Sequence, residues 1–482
     1  MKQRITFLLA LALLLTLSAC RAAPEEADTS LDSDRSFLHY GGMGEICATQ
    51  DTVYFTRRDL VHYYDKASGI GGVLCGKPEC AHSTAYGSSC NAYINSSSEN
   101  LCVYNSRLYW IGGDARYTIY SMALDGTDRR TERQLKPGEV YTSHHGLTSA
   151  VFHRGYAYIW VINYRIQDGR EAKCFDLAAV PLDPDEEVRV IFSEELDAYA
   201  ASWNPWLAIQ AYGDDVYILM DLPVGSSDGS QDSYPDIYDF KIQRYDTRTQ
   251  ELATLYHDGQ SPIWYPTEMW AMDDGLLFFC HEFRTADDAT DIICRFDYDS
   301  GELTRIFEPV PGAAGLVDGM VVSSRSSYEK SNPTNPWGLT LAPQDIERTV
   351  EFYVCLQNFS GDVLWEDTYR LEGYYSMPDF CGVDDTYAYF LDGAFFSTLN
   401  DSTSYFSLIG VALDGSGMEV LCTEEEHYEY PGSGRHETST RTLDDGTTVI
   451  LEDNTRITII PGDGGETVTM TVEELLENGW QP

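Results

Sequence analysis

The sequence predicts an all-β chain, a β-propeller of four-stranded antiparallel blades, and three observations carry that prediction. Short β-branched and aromatic runs recur along nearly the whole chain, in keeping with 33 Tyr among 482 residues and 13% aromatic content. Two kinds of turn signal alternate between those runs. Helix-period stretches are nearly absent until Thr471-Val472-Glu473-Glu474-Leu475-Leu476, a capping-box pattern that predicts one short C-terminal helix.

Taken in chain order, the first element is an address. Lys2 and Arg4 precede an apolar stretch, Ile5 to Leu17, which is shorter than the roughly 20 residues a membrane-spanning helix needs. Residues 1–19 therefore read as a secretion signal. The stretch closes on Leu17-Ser18-Ala19-Cys20, which resembles the lipobox of bacterial lipoproteins and makes Cys20 the expected lipidation site; an ordinary signal peptide is the alternative. No other segment is long and apolar enough to cross a bilayer. The expectation is a protein held by lipid alone on the outer face of the membrane, in the cell envelope, with residues 20–36 as an acidic, flexible tether. The 77 acidic and 32 basic residues give a formal charge of −45, and loss of Lys2 and Arg4 takes it to −47. That charge excludes a nucleic-acid binder resting on a basic face, and equally a polybasic attachment to anionic lipid.

The body, 37–435, repeats. One signal is an Asp/Gly/Asn turn feeding a strand: Asp51, Asn105-Ser106, Gly155, Asp214-Asp215, Asp274-Gly275, Asp318-Gly319 and Asp384-Asp385. The other lies downstream of each: Tyr64-Asp65, Leu124-Asp125-Gly126, Leu182-Asp183, Tyr245-Asp246, Tyr298 to Gly301, Phe359-Ser360-Gly361 and Leu413-Asp414-Gly415. A hairpin between an inner pair of strands followed by one between an outer pair is what a four-stranded blade requires. A lone blade cannot bury both faces, so several must stack around an axis. The repeat length of roughly 50 to 65 residues exceeds the usual propeller blade, and insertions at 165–173, 225–235 and 326–347 account for the excess. Seven copies of each signal predict seven blades. Asp444-Asp445-Gly446 and Gly462 to Gly465 imitate both signals again, so 436–482 is either a β appendage or a thinner eighth blade, carrying the short helix.

Eleven cysteines follow Cys20, an odd number for a chain outside the cytoplasm. Cys75, Cys80, His82 and Cys90 crowd together in the order Cys-x4-Cys-x-His-x7-Cys. Three thiolates and an imidazole suit a closed tetrahedral zinc site, and Gly76, Pro78 and Gly87 would let the ligands converge. The alternatives are disulfides drawing in Cys47 or Cys102, which sit in what read as innermost strands, or free buried thiols. Each reading has the cluster bracing the connection between the first two blades, a structural role. No Cys-x-x-Cys-His pattern supports haem attachment.

The lipobox, the string Leu74-Cys75-Gly76-Lys77-Pro78-Glu79-Cys80-Ala81-His82 with Cys90-Asn91-Ala92-Tyr93, and the Tyr-Asp or Leu-Asp-Gly turns together resemble uncharacterised propeller lipoproteins of Gram-positive bacteria, with TolB-like or YWTD-like blades. The resemblance implies a fold and a location. It carries no catalytic residue.

The links expected to lead into innermost strands are rich in rings. They hold Tyr141 with His144 and His145, Trp203 and Trp206, Trp264, Tyr265 and Trp270, and Tyr374 with Tyr375. Such rings stack on sugars or peptide side chains, and neighbouring acids accept hydroxyl or ammonium hydrogen bonds. The competing reading has them wedged between blades as core. No Gly-x-Ser-x-Gly elbow, phosphate loop, His-Glu-x-x-His or dinucleotide fingerprint is present. The expected function is therefore a binding or scaffold module for a glycan, peptide or partner protein. A polysaccharide hydrolase or lyase on the same fold is the alternative, and an inert envelope component a third reading.

Overall fold

In the computed structural model the described residues are 29–33 without 31, and 46–471 with interruptions in connecting segments, the longest at 136–148, 227–234, 330–348 and 430–437; Glu474 follows alone. They form eight sheets, each built from consecutive antiparallel strands: 46–73, 99–134, 149–195, 206–261, 263–307, 313–372, 379–429 and 438–471. The fifth sheet has its first strand split into Ile263–Trp264 and Met269–Ala271.

Seven apolar seams join the first seven sheets into a wheel. Each seam draws buried residues from two neighbouring sheets, as where Leu108 and Trp110 of the second meet Tyr54 and Val61 of the first. The circle closes where Tyr389 and Leu391 of the seventh pack against Val53 and Phe55 of the first. Innermost strands adjoin around the ring, Asp379–Val383 returning to Ile46–Ala48. Among the described residues no sheet mixes strands from the two ends of the chain, and the closing seam is one of packed side chains. The eighth sheet contributes to none of these seams; its buried Val449, Leu451, Ile457 and Ile459 serve its own hairpins. Among the described residues seven sheets share the seams, one for each copy of the turn signals, and the eighth sheet, over the residues that imitate both signals again, stands outside them.

The turn signals have a common chemistry. In the outer hairpins a side-chain oxygen accepts backbone N–H groups two or three residues on: Asp65 from Ser68, Asp125 from Thr127, Asp246 from Arg248 and Thr249, Asp414 from Ser416. In the fifth and sixth blades the acceptor comes earlier than the motif suggested, at Asp297 and Asn358. The hydroxyls of Ser68, Thr127 and Ser416, with these N–H groups behind them, hold the carboxyls of Asp65, Asp125 and Asp414 below the usual range, and at Asp246 and Asp297 the N–H groups lead. The glycines have a second use. Gly126, Gly361 and Gly415 take left-handed φ of 77°, 89° and 76°, and a Cβ there would collide with the preceding blade, at Leu74 to Gly76, Phe307 and Trp365.

Strand alternation sorts the loops onto two faces. Every innermost strand starts on a link face, which also carries the tips of the middle hairpins, and ends on a turn face, which carries the short Asx turns. Middle hairpins are short in the first two blades, as in Thr52–Arg57 and Leu60–Asp65, but long in the third to seventh, as in Tyr156–Gln167 and Arg170–Pro181. The insertion expected at 165–173 is thus a continuation of paired strands. At about 3.3 Å per residue, six extra residues lengthen a hairpin by roughly 20 Å.

Two expectations need refinement. Asp32 and Ser33 fall within the supposed tether, yet Ser33 is buried and the Asp32 side chain is only 5% exposed, beside His153. At the C-terminus the capping box forms, with Glu474 N–H donating to Thr471 Oγ1 at 3.1 Å and Thr471 N–H to Glu474 Oε2 at 2.9 Å; the helix body lies outside the described residues.

Candidate functional site

The cysteine loop is pinned from three sides. Leu74 N–H donates to Val61 O at 2.9 Å, and further along the chain Val61 N–H donates to Ala92 O at 2.8 Å and Ile94 N–H to Asp59 O at 2.7 Å. From the second blade, the carbonyl of Gly126 accepts Gly76 N–H and Asn91 Nδ2, both at 2.9 Å. The Arg129 guanidinium donates to the carbonyls of Cys90 and Tyr93 while lying over the rings of Trp110 and Tyr120. Left-handed Glu79 and His82 reverse the chain between ligands.

This scaffolding brings the ligand atoms of Cys75, Cys80, His82 and Cys90 within 4.8 Å of one another. Cys90 Sγ lies 3.7 Å from His82 Nδ1. A zinc tetrahedron with the usual Zn–S and Zn–N lengths has edges of about 3.5–3.8 Å, so the donor set fits a metal ion in both chemistry and spacing. None of the eleven cysteines after Cys20 is joined in a disulfide, so the disulfides considered with Cys47 or Cys102 are not formed. Burial pushes the Cys90 thiol up to about 12, with Cys80 and Cys75 adding to the rise. Burial also raises Cys75, but backbone N–H groups of Lys77 and Asn91 and the thiols of Cys80 and Cys90 outweigh it and bring Cys75 below the ordinary thiol range.

A second constellation stands on the link face of the third, fourth and fifth blades. Trp206, the first residue of its blade's innermost strand, meets Tyr265 with ring centroids 4.5 Å apart and Trp160 edge-on at 5.7 Å. Tyr265 stacks on His281 at 5.7 Å, and His281 Nδ1 lies 2.6 Å from Asp291 Oδ1 across the hairpin. The organising group is Asp221. Its two carboxylate oxygens accept Trp206 N–H and Tyr265 N–H, each at 2.9 Å, so one buried side chain positions rings from two blades. Trp206 Nε1 in turn donates to Pro266 O at 2.9 Å. Burial drives the Asp221 carboxyl well above the usual range, against the pull of the Trp206 N–H. Residues 265–268 form the break in the fifth blade's innermost strand, with Tyr265 at φ 56°. Burial pushes Glu268, in that same break, up to about 8. Nearby, an open cavity of 660 Å³ is lined by Pro262, Glu282, Phe283, Arg305 and Phe307 among others.

The predicted ring residues divide. Trp206 and Tyr265 come together as described. Trp270 goes to the seam between the fifth and sixth blades, packed with Leu277, Phe279 and Leu316 as core, because its strand position faces that seam. Trp264 pairs with His281 in the backbone register. Cys20, His144, His145, Trp203, Tyr374 and Tyr375 lie outside the described residues. The sequence reading passed over Asp221, Glu268, His281 and Asp291. Asp221 did leave a signal: it is the lone charge inside the apolar run Val216 to Leu222, where a strand buried on both faces has no room for an unpartnered carboxylate.

No family model matches the chain, and no curated protein does either. Solved structures do, at low identity. An oligogalacturonate lyase in complex with manganese is 12% identical, covering 76% of this chain and 87% of its own, with a TM-score of 0.37. The β-propeller domain of the Trilobed protease from Pyrococcus furiosus, described as having an open velcro topology, is 10% identical over 81% of this chain and 98% of its own, with a TM-score of 0.37. The acylaminoacyl peptidase of Pyrococcus horikoshii is 11% identical with a TM-score of 0.41; the match covers 91% of this chain but only 59% of the peptidase. At such identities the likeness is one of fold alone, and no activity follows from it.

Proposed function

We propose that the protein is a lipid-anchored binding module on the outer face of the membrane, recognising a glycan through the link face. The observation that carries this reading is the Trp206–Tyr265–His281 row, held by Asp221 and flanked by Asp291. Rings offer sugar faces a stacking surface at low entropic cost, and carboxylates accept their hydroxyls. A peptide or a partner protein would use the same rings. The mature protein screened on a glycan array and then titrated against its hits is expected to bind at least one class of polysaccharide, with Trp206→Ala and Tyr265→Ala weakening binding about tenfold or more. Absence of any glycan hit, or binding indifferent to both changes, overturns the reading.

The His281–Asp291 contact favours a second reading, a polysaccharide hydrolase or lyase, since a carboxylate that orients an imidazole is a general-base arrangement. Product release that falls in His281→Ala by far more than binding does would select it. For the cysteine loop we propose a structural zinc ion held by Cys75, Cys80, His82 and Cys90. Elemental analysis is expected to find one zinc per chain, and none in Cys90→Ser.

A further inference from the structure

The N-terminal segment docks on the wheel at a telling place. Asp32 forms an antiparallel bridge with His153, the last residue of the third blade's innermost strand Ser149–His153. His153 already pairs with Tyr156 on its outer side, so Asp32 occupies the edge that faces the axis. The side chains reinforce the bridge: His153 Nδ1 lies 2.8 Å from Asp32 Oδ1, at 0% and 5% exposure. Asp32 N–H also closes a tight turn onto Thr29 O at 3.0 Å. His153 leads straight into the Arg154-Gly155 turn, which is on the turn face. Ile46, where the first blade begins, lies at the opposite end, because every innermost strand starts on the link face.

That geometry decides which face a lipid at Cys20 would pull towards the bilayer. A tether running loose to Ile46 would hang the wheel by its link face and turn the aromatic row towards the lipid. With Asp32 docked, the free leash ends on the turn face. We propose that the Asp32–His153 contact is an orienting latch: it holds the turn face towards the membrane and presents the Trp206–Tyr265 face outward. The leash from Cys20 to Asp32 is twelve residues. At 3.3–3.6 Å per extended residue it reaches about 40 Å at most, so while the latch holds the lipid stays within that distance of the docking point at the turn face.

The inference rests on the lipid anchor proposed above, so the test separates the two. The full-length protein, acylated in a bacterial host and purified, is first weighed for diacyl modification at Cys20. It is then reconstituted in phosphatidylglycerol–phosphatidylcholine vesicles carrying a photoreactive headgroup, and cross-linked peptides are mapped. Cross-links are expected on turn-face segments such as 182–187 and 246–250, and in Asp32→Ala they are expected to spread at least equally to the link face. Predominant link-face cross-linking in the unaltered protein, or the same pattern in Asp32→Ala, overturns the latch. Hydrogen exchange of the peptide spanning 29–33 needs no lipid. It is expected to be slowed tenfold or more, with the protection lost in Asp32→Ala while the blades keep theirs; exchange at the unstructured rate also overturns the latch. A missing acyl group with protected 29–33 would refute the anchor and the membrane orientation but keep the docking contact.

Discussion

The first blade touches two neighbours, and the two seams are held by different means. Towards the second blade it shares a chain connection, and that connection itself enters the seam: Leu74, Cys90, Ala92, Tyr93 and Ile94 pack among Leu60, Leu101 and Trp110, with the Cys/His group at the edge. Towards the seventh blade there is no connection. Phe55, Tyr64, Tyr389 and Leu408 make the core, and Lys66 reaches across to Asp384, 318 residues away in sequence. Bringing distant parts of a chain together carries a larger entropic cost than joining neighbours, though it grows only logarithmically. The lesson is that a wheel without a shared closing strand places its local brace where the chain supplies one, and leaves closure to apolar burial and one partly buried ion pair.

That contrast can be broken at its strongest point first. Phe55 is fully buried in the closing seam and stacked on His62, so Phe55→Ala is expected to cost about 3–5 kcal/mol in denaturant unfolding. A loss under about 1 kcal/mol would mean that the closing seam is dispensable. Next comes the metal. Zinc added to the chelated protein at about a thousand times its dissociation constant should stabilise it by about 4 kcal/mol, and should do nothing for Cys90→Ser. Because the two seams share no partners, Phe55→Ala should keep that full increment, and a reduced one would reveal coupling between them.

A smaller effect is expected from Asp384→Asn. Burial raises the Asp384 carboxyl, but the Lys66 ammonium, the Tyr389 hydroxyl and the N–H groups of Tyr387 and Thr386 outweigh it and hold it below the usual range. The substitution should cost about 1–2 kcal/mol at pH 7. A carboxyl lowered on folding adds stability in full above its unfolded pKa, near 3.9, and loses it as pH falls through the lower folded value. Melting curves of Asp384→Asn and the unaltered protein are therefore expected to converge only in acid. The smallest change separates two Asx turns. Asp125→Ala should speed zinc loss to a chelator, since its turn presents Gly126 O to Gly76 and Asn91, whereas Asp297→Ala, whose turn glycine Gly301 meets nothing, should leave that rate unchanged.

The repeated turns were readable because their chemistry is local: a side chain bonds a backbone amide two or three positions on, and the flanking strands alternate with a period of two. The same locality made the four ligands legible, since they lie within sixteen residues, and the capping box, whose partners are three apart. The aromatic row was only half legible. Tyr265 and Trp270 are five residues apart and look alike as links, yet one joins the row and the other the core. What separates them is the break at 265–268, which shifts the strand before the second half pairs again.

Sequence alone, then, determined the strand-and-turn grammar and the ligands that could meet within one loop, because each depends on contacts a few residues long, while it left the last sheet open as blade or appendage. Tertiary structure decided what Asp221, His281 and Asp291 do, where Asp32 comes to rest and how the wheel closes. Those outcomes depend on which edges and faces meet when the seven sheets stack, and that geometry exists only once the last seam has formed.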